Sequence, residues 1–169
     1  HINNNEEFCE KEYSLINMDL DILNRMYSEY KGEISERKYN ILKERLKKDS
    51  SEKGYIVVDK NNNIYGFYNI AYGEYFDTGI NYRIIHYPHN VHFFDDYTFI
   101  SRRGQGAHKF SIGARLNLVK NLGYKTATVH IREHNQYSRR AYKRFGFKAI
   151  KEIRYYKVWP IRNSYEKYL

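Results

Sequence analysis

The chain has 169 residues, long enough to bury one sizeable core, and carries 29 Lys and Arg against 20 Asp and Glu, net +9. Its single cysteine, Cys9, excludes an internal disulfide and stands outside any Cys/His cluster, which marks it as structural. No apolar run approaches the roughly 18 residues that cross a membrane and no signal-peptide pattern leads the chain, so a cytoplasmic setting is expected.

In chain order, residues 12–18 read as a first strand. Asp19 or Asp21 caps a helix that runs to about residue 30. Ser35 opens a second helix over 36–48, with Tyr39, Ile41, Leu42 and Leu46 as its apolar members. Strands over 55–59 and 64–72 flank an Asn-rich turn and read as a hairpin. Two further strands, 81–87 and 91–100, are separated by Pro88. Residues 107–122 form a helix with Phe110, Ala114 and Leu118 on one stripe, and Gly123 stops it. A strand over 126–131, a helix over 136–145 and a strand over 147–159 complete the pattern. The alternation predicts one α/β domain: a mixed central sheet of six to seven strands flanked by four helices. The chain begins at His1 rather than Met, as a tag remnant or a piece of a longer protein would.

The densest information lies between residues 98 and 147. Arg103-Gly104-Gln105-Gly106-Ala107-His108 sits between a strand and a helix. Glycines there let the backbone bend and approach a ligand closely. The first amides of the helix lack intrahelical partners, and the helix dipole favours an anion beside them. Taken alone, the turn reads equally well as tight strand–helix packing. A Walker loop is excluded, because no Gly-x-x-x-x-Gly-Lys-Ser/Thr run exists. A dinucleotide fingerprint is excluded too: position 109 is Lys109, and residues 109–132 hold no Asp or Glu.

Charge is uneven along the chain. Residues 1–100 carry 12 Lys and Arg against 17 Asp and Glu, net −5; residues 101–169 carry 17 against 3, net +14. A basic half calls for an anionic partner, whether nucleic acid or a phosphorylated cofactor. No nucleic-acid-binding motif is present, so none is expected as a partner.

The turn, followed by Asn135, Ser138, Tyr142 and Gly146-Phe147, resembles the acyl-CoA site of the GNAT family of N-acetyltransferases. Arg103-Gly104-Gln105-Gly106 matches the Arg-Gly-x-Gly form of the family's central motif. Ser101 departs from it, standing where Gln or Arg is usual. The resemblance covers roughly residues 54–157. It implies acetyl-CoA, or a longer acyl-CoA, as cosubstrate, with no metal. It places the pyrophosphate on Arg103, Gly104, Gln105, Gly106, Ala107 and His108, and the nucleotide end near Asn135, Ser138 and Arg140. The backbone of Tyr97, Thr98 and Phe99 would polarise the thioester carbonyl, and Tyr142 would protonate the leaving thiolate. A small-molecule or peptide amine is the implied acceptor. Residues 27–35, 72–89 and 155–168 would build its pocket, in a monomer or homodimer.

The attacking amine must lose a proton, so a base is needed. Strict strand alternation places His92, Phe94, Asp96 and Thr98 on one face. His92 titrates near neutrality and is the first candidate; Asp96, with a raised pKa, is the second. His86, His89 and His92 do not share a strand face, which argues against a metal. A GNAT-like binder without catalysis and a basic nucleic-acid-binding domain are the alternatives.

Overall fold

A computed structural model describes residues 12–47, 50–84, 88–158 and 161–169. Cys9, His86, Trp159 and part of the predicted 81–87 strand lie outside the described residues. The first strand, β1 (Tyr13–Asn17), leads to helices α1 (Leu20–Glu29) and α2 (Glu36–Arg45). Both helices begin as the sequence requires. Asp19 accepts from the amide of Ile22, and Ser35 accepts from that of Lys38.

β2 (Glu52–Asp59) and β3 (Ile64–Ala71) form the hairpin, and β4 (Tyr75–Asp77) with β5 (Tyr82–Ile84) forms a second, short one. β6 (Asn90–Thr98) returns to the main sheet. A single 3-10 turn (Ile100–Arg102) then leads into α3 (Ala107–Asn121), β7 (Thr126–Val129) and α4 (Gln136–Arg144). The chain closes with β8 (Lys151–Val158) and β9 (Ile161–Tyr168), an antiparallel pair where one strand was expected.

The central sheet has five strands in the order β1-β2-β3-β6-β7. All neighbours are antiparallel except β6 and β7, which run parallel. The strands expected beyond these five form the two separate hairpins. Alternation along β2 sends Ile56 and Val58 to a core under α1 and α2, with Leu23, Met26, Leu42 and Phe67. Tyr55 faces the other way, into a core with Ile112, Leu116 and Val119 of α3 and Tyr142 of α4.

Candidate active site

The site begins where two parallel strands separate. β6 pairs with β7 only from Asn90↔Thr126 to Phe93↔Val129. β7 then ends, while β6 continues to Thr98, still bonded to β3 on its other edge. A fork opens beside residues 94–98. The Phe99 amide donates to the Tyr65 carbonyl at 3.0 Å. Antiparallel alternation therefore turns the N–H and C=O of Thr98 toward the fork.

A bulge re-aims the side chains there. The β3–β6 register shifts between Phe67 and Asn69, and Asp95 adopts a left-handed backbone, φ 50°. Buried Asn69 fastens the bulge, its side-chain amide donating to the Asp95 carbonyl at 2.9 Å. The extra residue breaks strict alternation. His92 and Phe94 face the α2 side, where Arg45 lies over the Phe94 ring, and Asp95 bonds Lys38 and Arg45. Asp96 crosses to the α3 side with Phe93. The expectation that His92 and Asp96 share a face is thus corrected by one inserted residue.

On the α3 side four side chains converge. Arg115 is fully buried and grips Asp96 with two hydrogen bonds, 2.8 and 2.7 Å. The Tyr142 hydroxyl, on a residue only 2% exposed, donates to Asp96 Oδ2 at 2.7 Å. It accepts from Arg115 Nη2 at 3.1 Å. His108 Nε2 lies 3.5 Å from the same carboxylate oxygen. The Asp96 side chain is 13% exposed and that of His108 24%, so the cluster reaches the surface through these two. Burial alone would raise the Asp96 carboxyl, but the Arg115 guanidinium and His108 outweigh it and hold it down to about 2. Burial and then the Asp96 charge push the Tyr142 phenol well above its ordinary value, so it stays protonated.

The glycine turn leads directly into this cluster. Gly104 (φ 73°) and Gly106 (φ 89°) both adopt the left-handed backbone, and Gly106 precedes the first residue of α3. A Cβ at either would meet nothing within 4 Å, so they are conformational glycines with open space in front of them. The amides of the first turn of α3 point outward by helix geometry. His108 belongs to that turn, and its ring stands 5.8 Å from that of Tyr142. Gln105 is anchored through its carbonyl to the Tyr13 hydroxyl at 2.7 Å, and its side chain donates to Ser101. Arg103 folds back, donating to the Thr98 carbonyl at 3.2 Å and lying over the Tyr97 ring.

The other expected residues are placed as follows. Ala107 is buried at the helix start. The Phe99 side chain is buried and stacked on Tyr30, which leaves it in the α1–α2 core. Thr98 bonds the Tyr68 hydroxyl at 2.8 Å. Asn135 caps α4 by accepting from the Ser138 amide, with Arg140 exposed on the same helix. His92 is fully buried within the paired part of the sheet, Nδ1 3.0 Å from Thr128 Oγ1 and its ring stacked on Tyr75. Thr128 donates to the Val91 carbonyl, so its oxygen accepts from His92. Among the described residues, no group of three His, Cys, Asp or Glu is placed to hold a metal. No helix among them is long and apolar enough to cross a membrane.

The sequence pattern of the acetyltransferase (GNAT) family matches residues 20–147, which include the fork, the turn and Tyr142. The chain belongs to the GNAT acetyltransferase family. Among curated proteins, none matches the chain. Solved structures agree with the GNAT fold. AAC(6')-Iy, bound to a bisubstrate analogue of CoA and acetylneamine, superposes with TM-score 0.61 at 16% identity, over 81% of this chain and 91% of that one. The spermidine/spermine N-acetyltransferase SpeG from Vibrio cholerae gives 0.59 at 13% identity, over 82% and 81%. YycN of Bacillus subtilis, a putative acetyltransferase, gives 0.56 at 16%, over 81% and 92%.

Within this GNAT frame, sequence reasoning missed Arg115. Its neighbours Ser111, Ile112 and Leu116 are all buried, so Arg115 enters the core, with Asp96 as its carboxylate partner. It also missed the bulge at Asp95, which carries no glycine to announce it.

Proposed function

We propose that this chain is an acyl-CoA-dependent N-acyltransferase, acting as one domain, that moves an acetyl group to a primary amine in a ternary complex. The observation that carries the reading is the convergence of the Gly104–Gly106 turn, the fork beside Thr98 and the Tyr142 hydroxyl around one residue, His108. The first-turn amides of α3 would hold the pyrophosphate, with Arg103 free to exchange its intramolecular bond for a phosphate. Arg139, Arg140, Lys143 and Arg144 are exposed on α4 and suit the nucleotide phosphate. The thioester would lie in the fork, its carbonyl on the Thr98 amide, a donor aimed where negative charge develops.

Tyr142 is then the proton donor to the departing sulfur. Its hydroxyl now donates to Asp96, and it would exchange that acceptor for the thiolate. Asp96 keeps two bonds to Arg115 and the contact with His108, so its charge stays compensated when the hydroxyl turns away. Alignment of two bound substrates supplies the rest of the rate.

Thiol release from acetyl-CoA across a panel of primary amines tests this. Tyr142→Phe is expected to lower kcat by about 10²–10⁴-fold with acetyl-CoA affinity unchanged. Equal activity in Tyr142→Phe would remove the assigned role, and a protein that binds acetyl-CoA without turnover on any amine would be a binder rather than a catalyst.

A further inference from the structure

A base for the acceptor amine has no place in the Asp96 cluster. That carboxylate is clamped by Arg115 and already carries the Tyr142 hydrogen bond. His92 stands two residues back inside the ladder, its Nδ1 engaged with Thr128. The next residue along β7 after the last paired position, Val129, is His130, and the β6 residue that faces it across the opening is Phe94. His130 therefore stands at the apex of the fork. Its ring packs edge-on to His92 at 4.9 Å and lies 5.7 Å from Tyr82, so it is on the face opposite Tyr142. Its Nδ1 is closed from solvent and has no hydrogen-bond partner among the described residues. A buried polar atom without a partner is costly and calls for a role.

We infer that His130 is the general base, taking a proton through Nδ1 from the ammonium form of a primary amine that enters the fork from the face opposite Tyr142. This rests on the acyltransferase reading above. The two faces then divide the work. The His130 imidazole takes one proton from R–NH3+. The neutral amine forms the C–N bond at the thioester carbonyl carbon, and the C–S bond breaks. Sulfur takes the Tyr142 proton, the excess proton left on nitrogen restores the Tyr142 phenol, and the imidazolium gives up its own when the departing product opens Nδ1 to water. One proton is released per turnover, and the products are an N-acyl amine and free CoA thiol.

The electrostatic surroundings agree. Burial lowers the His130 pKa, Asp77 opposes that and Lys151 adds to it, leaving the imidazole below its ordinary value and neutral at pH 7. Among the described residues, Tyr82 and His92 also pack against the ring. Tyr82 is itself tied to Lys151 and Glu166, so both short hairpins meet above His130. Lysine and carboxylate there are paired, and a cationic amine meets a neutral acceptor rather than a repelling charge.

The experiment is the pH profile of acetyl-CoA thiol release with spermidine and glucosamine, for wild type and His130→Asn, beside calorimetry of acetyl-CoA with both. Wild type is expected to lose kcat/KM along a limb below pH 6.5. His130→Asn is expected to lower kcat about hundredfold or more and to abolish that limb, with the acetyl-CoA Kd within about twofold, as for a group that touches only the acceptor. A variant that keeps kcat within about threefold, or keeps the limb, overturns the inference. Should His130→Asn not fold, ¹⁵N NMR of the wild-type imidazole decides. A neutral ring at pH 7 whose Nδ1 resonance moves when butylamine is added to the CoA-bound protein supports it. A protonated or unresponsive ring overturns it. Failure of wild type to bind acetyl-CoA would bring down the acyltransferase reading and this inference together, and the calorimetry reports that separately.

Discussion

A fully buried arginine is tolerated in α3 because each part of its guanidinium is engaged. Nη1 donates to Asp96 and to the Asn69 carbonyl, Nη2 to Asp96 and Tyr142, and Nε to the Ser111 carbonyl. The plane also lies over Phe93, 4.3 Å from its centre. The pair's value is specific: it fixes where the Asp96 and Tyr142 oxygens stand. Removing one partner leaves the other buried and unpaired, which costs about 3–5 kcal/mol. Arg115→Met is expected to lose stability of that order in urea unfolding, and Arg115→Met with Asp96→Leu to recover a large part of it. Equal stability of Arg115→Met and wild type would show that Asp96 finds water or another cation.

At the scale of elements, the β6 bulge does the most. One residue in the left-handed region moves Asp96 from the α2 face to the α3 face and so brings it to Tyr142. Asp and Asn tolerate that backbone; β-branched residues do not. Asp95→Val should therefore be less stable than Asp95→Asn by about 1–2 kcal/mol, since both lose the ion pairs to Lys38 and Arg45 and only one is strained. Matching denaturation midpoints for the two would contradict the bulge as the determinant. This is also where the sequence stopped being legible. Helices announced by Asp19, Ser35 and Gly123, and the hairpin turn after Asp59, could be read because their signals are local. The bulge could not, because its cause is Asn69, a residue on the neighbouring strand. Of the β8–β9 pair only the first strand was read, because the return strand, Ile161–Tyr168, shows no period-two apolar alternation. Of the candidate site, the turn and Tyr142 were visible as motifs. The Arg115 clamp and the position of His130 depend on contacts 19 to 38 residues apart and have no local signature.

Over the whole molecule, charge follows function along the chain. The net +14 of residues 101–169 belongs to the half of the chain that holds the turn, α3 and α4, while residues 1–100, net −5, include α1 and α2. A multiply charged cofactor drawn to the basic half is screened by salt. Acetyl-CoA affinity is expected to fall about tenfold between low and high salt, on the order of 0.05 to 0.5 M, and Arg140→Glu to weaken binding while flattening that dependence. A salt-independent affinity would place the phosphates away from these side chains.

The most direct test is calorimetry of acetyl-CoA with wild type, Gly106→Asn and Gly106→Asp. Both substitutions enter open space and carry the same backbone strain at φ 89°, so the comparison between them isolates the charge. The account predicts micromolar binding to wild type, modest weakening in Gly106→Asn and near loss in Gly106→Asp, whose carboxylate faces the bound phosphates. Equal affinity in all three, or no binding to wild type, would contradict a pyrophosphate held on the Gly104–Gly106 turn.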